Sequence, residues 1–300
     1  MNICIFGNKK STRRLIESLV GYQIEINSIV ILDANAFNKI DISGGDDNLA
    51  DFVSKLGIEC FRVQNYSLIS IDEMDFFKRK KFDIGLCTGW QRIIPDAILN
   101  QFRFGVFGWH GSGFKFPNGR GRSPINWSIR LGLSVVFHNC FKYEVGVDSG
   151  SVYETIELEI LPSDYISDVQ EKAFQHILNS SRRLISDIRD NSLKLFDQID
   201  HPYISFPKLS DESGRLDPLQ LDCNDAVNII RSCSKPFPGA FIYLNDLSKK
   251  IRIWKCQVSK DINMKEGFGD VNIKFHDGSL WIKFRDGGII KSNEYSVDIV

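Results

Sequence analysis

WHGSGFKFPNGRGRSPINW, residues 109–127, is the stretch from which the rest of the chain is best read. Its second residue, His110, closes an apolar run that begins at Phe104, so the pattern predicts a buried strand with a histidine at its carboxyl end. Four glycines and Pro117 then form a loop that carries Lys115, Asn118, Arg120 and Arg122. Ser123-Pro124 follows, a cap and first-turn pair that predicts the start of a helix. Open α/β sheets place their chemistry outside the carboxyl ends of strands, and a histidine followed by a basic, glycine-rich loop suits that place.

Upstream, Ile3 to Phe6 is a short apolar run ending at Gly7, and Ser11 to Val20 reads as a helix with Leu15, Ile16 and Leu19 on one face. This is the opening of a doubly wound fold. Its turn, Gly7-Asn8-Lys9-Lys10-Ser11, has neither G-x-G-x-x-G nor a P-loop, which removes the main support for dinucleotide or nucleoside triphosphate binding. Further strands are predicted over Ser28 to Leu32, Glu59 to Val63 and Phe82 to Cys87. Helices are predicted over Asn48 to Leu56, Ile71 to Lys78 and from Pro95, and Asn35 to Asn48 reads as a polar surface loop.

Downstream, Ser123 to Arg130 reads as a helix, and Ser134 to Tyr143 and Ser151 to Leu158 as strands. From Ser163 a long helix is predicted, with Ile166, Val169, Ala173, Ile177, Leu184 and Ile188 as a core-facing stripe. Prolines 202 and 207 interrupt the pattern, Asp222 to Ser232 gives one more helix, and short β runs follow from Ala240 to Lys291. Asp277-Gly278 and Asp286-Gly287 are hairpin signals between them. The fold class is therefore α/β: a Rossmann-like domain with a central, mostly parallel sheet over 1–203, then a small β-rich domain over 204–300.

The balance of 37 Lys+Arg against 38 Asp+Glu argues against a dedicated nucleic-acid binder. Seven scattered cysteines with no C-x-x-C fit a reducing compartment and indicate no metal site. With no signal-peptide pattern at Met1 to Gly7 and no run long enough to span a bilayer, a cytoplasmic, membrane-free protein is expected.

Three segments together resemble the folate-dependent N-formyltransferases. Gly108-Trp109-His110 lies at that family's N-x-H motif, Gly121-Arg122-Ser123-Pro124-Ile125 at its glycine-to-proline loop end, and Glu144-Val145-Gly146-Val147-Asp148-Ser149-Gly150 at its D-x-G-x-D-T-G. Gly89 to Pro95 looks like the folate-pocket segment, and Gly214-Arg215-Leu216-Asp217, Ile230-Arg231 and Pro236 to Phe241 resemble the linker and second, OB-like domain of the tRNA and sugar members.

The resemblance implies that His110 and Asp148 act on the formyl carbon and the attacking amine, without settling which is the base. It implies that N10-formyltetrahydrofolate is the co-substrate, held by Trp90, Gln91, Arg92, Ile93, Ile94 and Val145. Lys115, Asn118, Arg120 and Arg122 are then candidates for the substrate's phosphates, or a solvated basic loop. The chain departs from the family at Gly108, where the family's asparagine helps hold the oxyanion. Asn139, nine residues before Asp148, is the expected substitute, with Asn118 in the loop the other candidate. His138, on the opposite face of the same strand, is read as packing or surface, and His176, His201 and His276 have no companions at ligand spacing.

The expected acceptor is a nucleotide-linked amino deoxy sugar, formylated for surface glycan or O-antigen synthesis. The alternatives are an inactive folate- or nucleotide-sugar-binding relative, and a formylation domain acting on an aminoacyl substrate of a peptide synthetase or tRNA. Oligomeric state is open, a homodimer among the options.

Overall fold

The computed structural model describes residues 1–38, 44–90, 92–199, 202–244, 249–260, 268 and 272–299. The first elements are β1 (Ile3–Phe6), α1 (Lys10–Gly21), β2 (Ser28–Leu32), α2 (Ala34–Asn38), α3 (Leu49–Lys55), β3 (Glu59–Val63), α4 (Ile71–Lys80), β4 (Ile84–Cys87) and α5 (Asp96–Leu99). Then come β5 (Gly105–Ser112), β6 (Arg120–Gly121), α6 (Pro124–Arg130), β7 (Val135–Lys142), β8 (Val152–Glu159) and α7 (Ile166–Arg189). The chain continues through β9 (Ser205–Phe206), a 3-10 turn at Asp211–Gly214, α8 (Cys223–Cys233) and β10 (Ala240–Tyr243). It ends with β11 (Lys249–Ser259), β12 (Ile273–His276), β13 (Ser279–Lys283) and β14 (Ile289–Ile299).

A seven-stranded sheet has the order β3-β2-β1-β4-β5-β7-β8, and the first five of these strands run parallel. Strands buried on both faces read as continuous apolar runs, and alternate residues go to opposite layers. Ile3, Ile5, Ile29, Ile31, Ile84, Leu86 and Phe107 pack with Leu15, Ile16 and Leu19 of α1 and Leu184, Ile185 and Ile188 of α7. Cys4, Phe6, Val30, Leu32, Cys87 and Val106 pack on the other side, with Phe76 and Phe77 of α4. Helix α4 is started by Ser70, whose Oγ accepts from the Glu73 N–H while the Glu73 carboxylate accepts from the Ser70 N–H.

Strand β7 reverses direction and pairs antiparallel with β5, setting His110 opposite Asn139 and Gly108 opposite Phe141. His110 and Gly108 share the Val106 face, whereas Trp109 and His138 look the other way, toward α7.

Five antiparallel strands in the order β10-β11-β14-β13-β12 make the second sheet, with α8 packed through Ala226, Ile229 and Ile230. Asp277 and Gly278, at φ of 49° and 69°, make the two-residue turn between β12 and β13. Contacts divide the chain into two compact units, one of residues 1–120, 137–157 and 172–204, the other of 121–136, 158–171 and 205–300. Segments 121–136 and 158–171, which the sequence places in the first domain, belong to the second unit because polar side chains tie them there. Arg231 Nε donates to the Asp164 carbonyl at 2.7 Å, Asn126 Nδ2 to the Ser232 carbonyl at 2.7 Å, and Arg130 to the Ser213 carbonyl at 2.7 Å.

Four local expectations change. Residues 34–38 of the expected surface loop form α2, and 39–43 lie outside the described residues. Strand β5 runs on to Ser112, so His110 is inside the strand because Gly111 and Ser112 still pair with His138 and Phe137. Ser123 takes a left-handed conformation and makes no side-chain cap, although Pro124 is the first residue of α6. Strand β14 extends to Ile299, well past Lys291, because β11 pairs along its full length. Among the described residues, no helix is long and apolar enough to cross a membrane.

Candidate active site

His110 is fixed by β5, and Asp148 by the turn between β7 and β8. Their side chains meet, His110 Nδ1 to Asp148 Oδ2 at 3.3 Å, with the imidazole nearly buried and the carboxylate 21% exposed. Asp148 sits at φ 52°, a left-handed conformation that aspartate tolerates better than most residues. The turn closes tightly at Gly150, where any Cβ would fall 1.8 Å from the Lys142 carbonyl oxygen.

Gln198 braces the same turn. Its amide donates to the Asp148 carbonyl at 2.9 Å and the Gly150 carbonyl at 2.8 Å, while its oxygen accepts from Arg120 at 2.5 Å. Arg120, expected in a phosphate-binding or solvated loop, is instead buried, with its guanidinium 4.4 Å from the Tyr203 ring centre. Asn118 is also engaged, its side-chain oxygen accepting from the Ile204 N–H at 3.0 Å. Lys115 stays exposed, its ammonium 4.9 Å from the Phe137 ring centre, and Arg122 is exposed in the other unit.

The loop after β5 folds back over the imidazole. Phe116 stacks on it at 5.2 Å, and His110 Nε2 lies 2.7 Å from the Gly119 carbonyl oxygen. A carbonyl only accepts, so Nε2 carries the hydrogen of that contact, while Nδ1 faces the carboxylate.

Asn139 does reach His110, but through the backbone. Its Nδ2 donates to the carbonyls of His110 at 3.3 Å and Phe137 at 3.2 Å, and its oxygen accepts from Thr155 at 2.7 Å. The amide nitrogen expected to face an oxyanion thus lies on two carbonyls of the sheet. The space that Gly108 leaves is taken by Tyr143, whose Cε1, Oη and Cζ come within 2.3, 2.4 and 2.5 Å of where a Cβ at 108 would stand.

Burial, then the neighbouring Cys87 thiol and the Asp148 carboxylate, hold the Tyr143 phenol well above its ordinary pKa. Burial likewise pushes the Cys87 thiol up to about 12, so both groups keep their hydrogens at neutral pH.

Of the expected cofactor residues, Trp90 and Ile94 are buried, Arg92 is exposed with its guanidinium 5.9 Å from the Tyr66 ring centre, and Gln91 lies outside the described residues. Among the described residues, the buried Trp90 indole Nε1 has no hydrogen-bond partner. Ile93 and Val145 are 62% and 75% exposed, large apolar side chains turned to solvent.

Behind the site, on the opposite face of β7, His138 and His176 form a buried pair. Sequence spacing gave His176 no companion because its partner is thirty-eight residues away on another element. Tyr143 and Gln198 were also missed: the first signal was a glycine where a side chain was expected, and the second left none.

Residues 208–295 match the family model for the formyl transferase C-terminal domain. The bifunctional polymyxin resistance protein ArnA of Wigglesworthia glossinidia brevipalpis is 31% identical over 62% of this chain, and the match spans 28% of that protein. The methionyl-tRNA formyltransferase of Rhizobium etli is 27% identical over 66% of this chain, spanning 62% of that enzyme. The N-formyltransferase of Helicobacter canadensis, solved with folinic acid and dTDP-3-aminofucose, superposes with a TM-score of 0.67 at 15% identity, covering 97% of this chain and 98% of that one. That likeness establishes the fold: a mostly parallel central sheet with a carboxyl-terminal antiparallel sheet.

Proposed function

We propose that the chain, whose residues 208–295 match the formyl transferase C-terminal domain, is a formyltransferase that transfers a formyl group from N10-formyltetrahydrofolate to the amine of a nucleotide-linked amino deoxy sugar. The observation that carries this reading is the His110–Asp148 pair at 3.3 Å, contributed by separate segments on one face of the sheet. The co-substrate brings a one-carbon unit at the oxidation level of formate, and everything else falls to side chains of this protein. Exposed Ile93 and Val145 fit an apolar, flat ring system, and the unpartnered Trp90 indole suits a polar heteroaromatic neighbour.

His110 offers the Nε2 hydrogen now given to Gly119 to the formyl oxygen as that oxygen gains charge. Asp148 steadies the imidazolium through Nδ1 and stands ready to take the proton that the acceptor amine sheds as the new C–N bond forms. That proton leaves with the departing folate nitrogen. Lys115 remains available for a phosphate oxygen, whereas Arg120 and Asn118 serve the scaffold of the loop.

A formal charge of −1 supports a small nucleotide-linked acceptor over tRNA. The glycan role and a cytoplasmic location extend this reading. Gly108 favours a second one, in which the protein binds folate or nucleotide sugar without turnover. Incubation with N10-formyltetrahydrofolate and dTDP- or UDP-linked amino sugars, followed by mass spectrometry, separates them: a formamido sugar nucleotide is expected. Tight ligand binding with no formylated product from any amine, methionyl-tRNA included, would overturn the enzyme reading.

A further inference from the structure

The geometry points to Tyr143 as a second oxyanion donor, its phenol replacing the side chain that Gly108 lacks; the inference rests on the formyl-transfer reading above. An oxygen that acquires charge as an amine adds to a formyl group needs fixed donors, and His110 supplies one. The neighbouring side-chain amide is spent, because Asn139 gives both hydrogens to backbone carbonyls. Side chains at 108 and 110 of a strand share one face, so whatever fills the space above Gly108 stands on the His110 face. That group is the hydroxyl-bearing edge of Tyr143, with Oη 2.4 Å from the absent Cβ position.

Tyr143 is placed there by sheet pairing. Its N–H donates to the Val106 carbonyl at 2.7 Å, and its ring packs 5.3 Å from that of Phe141, the residue opposite Gly108. Cys87, paired in register with Gly108 from the other side, is a neighbour of the phenol. Glycine at 108 is then required as well as tolerated, since any side chain would collide with the phenol ring.

Tyr143→Phe keeps the ring and removes the donor. We expect its kcat to fall about 10²–10³-fold, the usual loss for one such donor, with affinity for tetrahydrofolate within a few-fold of wild type. The reciprocal exchange, Gly108→Asn with Tyr143→Ala, should recover a measurable part of the activity that Tyr143→Ala loses, since it opens the space and returns an amide. Wild-type activity in Tyr143→Phe overturns the role of Tyr143 and leaves the formyltransferase reading standing. An inactive wild-type protein, tested with every amine above, removes both.

Discussion

His138 Nδ1 and His176 Nδ1 lie 2.6 Å apart in the core, and His176 Nε2 lies 2.9 Å from the Glu154 carboxylate. The carboxylate only accepts, so His176 carries a hydrogen on Nε2, and with both rings neutral it is His138 that supplies the hydrogen between them. The pair is neutral because burial lowers the pKa of both rings, with each other's charge a further factor for His138 and Glu154 opposing the shift for His176.

The sign of the pH dependence follows. An unfolded histidine titrates near ~6.5, so below that pH the unfolded chain binds protons that these folded rings refuse. Their contribution to stability is present above about pH 6.5 and is lost as pH falls, by up to ~1.4 kcal/mol per pH unit for each ring. Urea unfolding at pH 7.5 and pH 5.2 should show the loss, and His138→Leu with His176→Leu should flatten it. An equal free energy of unfolding at both pH values in the native sequence would refute the neutral pair.

Asp148→Asn preserves the shape of the side chain and the tolerance for the left-handed backbone at φ 52°, and removes the charge facing His110. Turnover should fall about 10²–10⁴-fold, the range for a positioned acid or base, with thermal unfolding nearly unchanged. His110→Ala should be at least as damaging. Substantial formyl transfer by either variant would remove the pair from the mechanism.

Gln198 lies fifty residues from Asp148, yet holds the Asp148 and Gly150 carbonyls and the Arg120 guanidinium at once. It touches neither the imidazole nor the carboxylate, so it is a positioning residue. Gln198→Glu keeps an acceptor for Arg120 but cannot donate to the turn. It should lower kcat by roughly tenfold, consistent with a loss of ~1.4 kcal/mol from one bad contact, while KM for the acceptor changes little. A change confined to KM would assign Gln198 to substrate binding instead.

Much of this architecture is legible in the sequence because both faces of the parallel strands are covered. Ser28 to Leu32 is apolar almost throughout and folds as β2 with the bounds its pattern suggests. Asp277-Gly278 marks its hairpin because two consecutive positive φ angles narrow the choice of residues. Strand β14 is less legible beyond Lys291, where Ser292 to Asp298 is mostly polar and only the pairing with β11 makes it a strand. In the site, His110 and Asp148 were visible through their motifs, whereas Tyr143 read as the end of a strand. Its position over Gly108 arises from the register of β5 against β7, which periodicity does not reveal.

Asn139 offers the sharpest separation between support and chemistry. It is almost fully buried, directly opposite His110, and its three polar contacts are all within the sheet: two backbone carbonyls and the Thr155 hydroxyl. Asn139→Ala strips partners from buried groups, and such groups cost about 1–3 kcal/mol when left unsatisfied. We therefore expect a lower unfolding midpoint in urea, with kcat reduced by less than in Tyr143→Phe when both are assayed where they remain folded. Asn139→Asp should be worse for stability than alanine, because it sets a carboxylate against two carbonyl oxygens that had been accepting. If instead Asn139→Ala unfolds at the native urea concentration and loses turnover as steeply as the tyrosine variant, the amide hydrogens reach the substrate during catalysis, and the assignment of the second donor moves from β7's end to its middle.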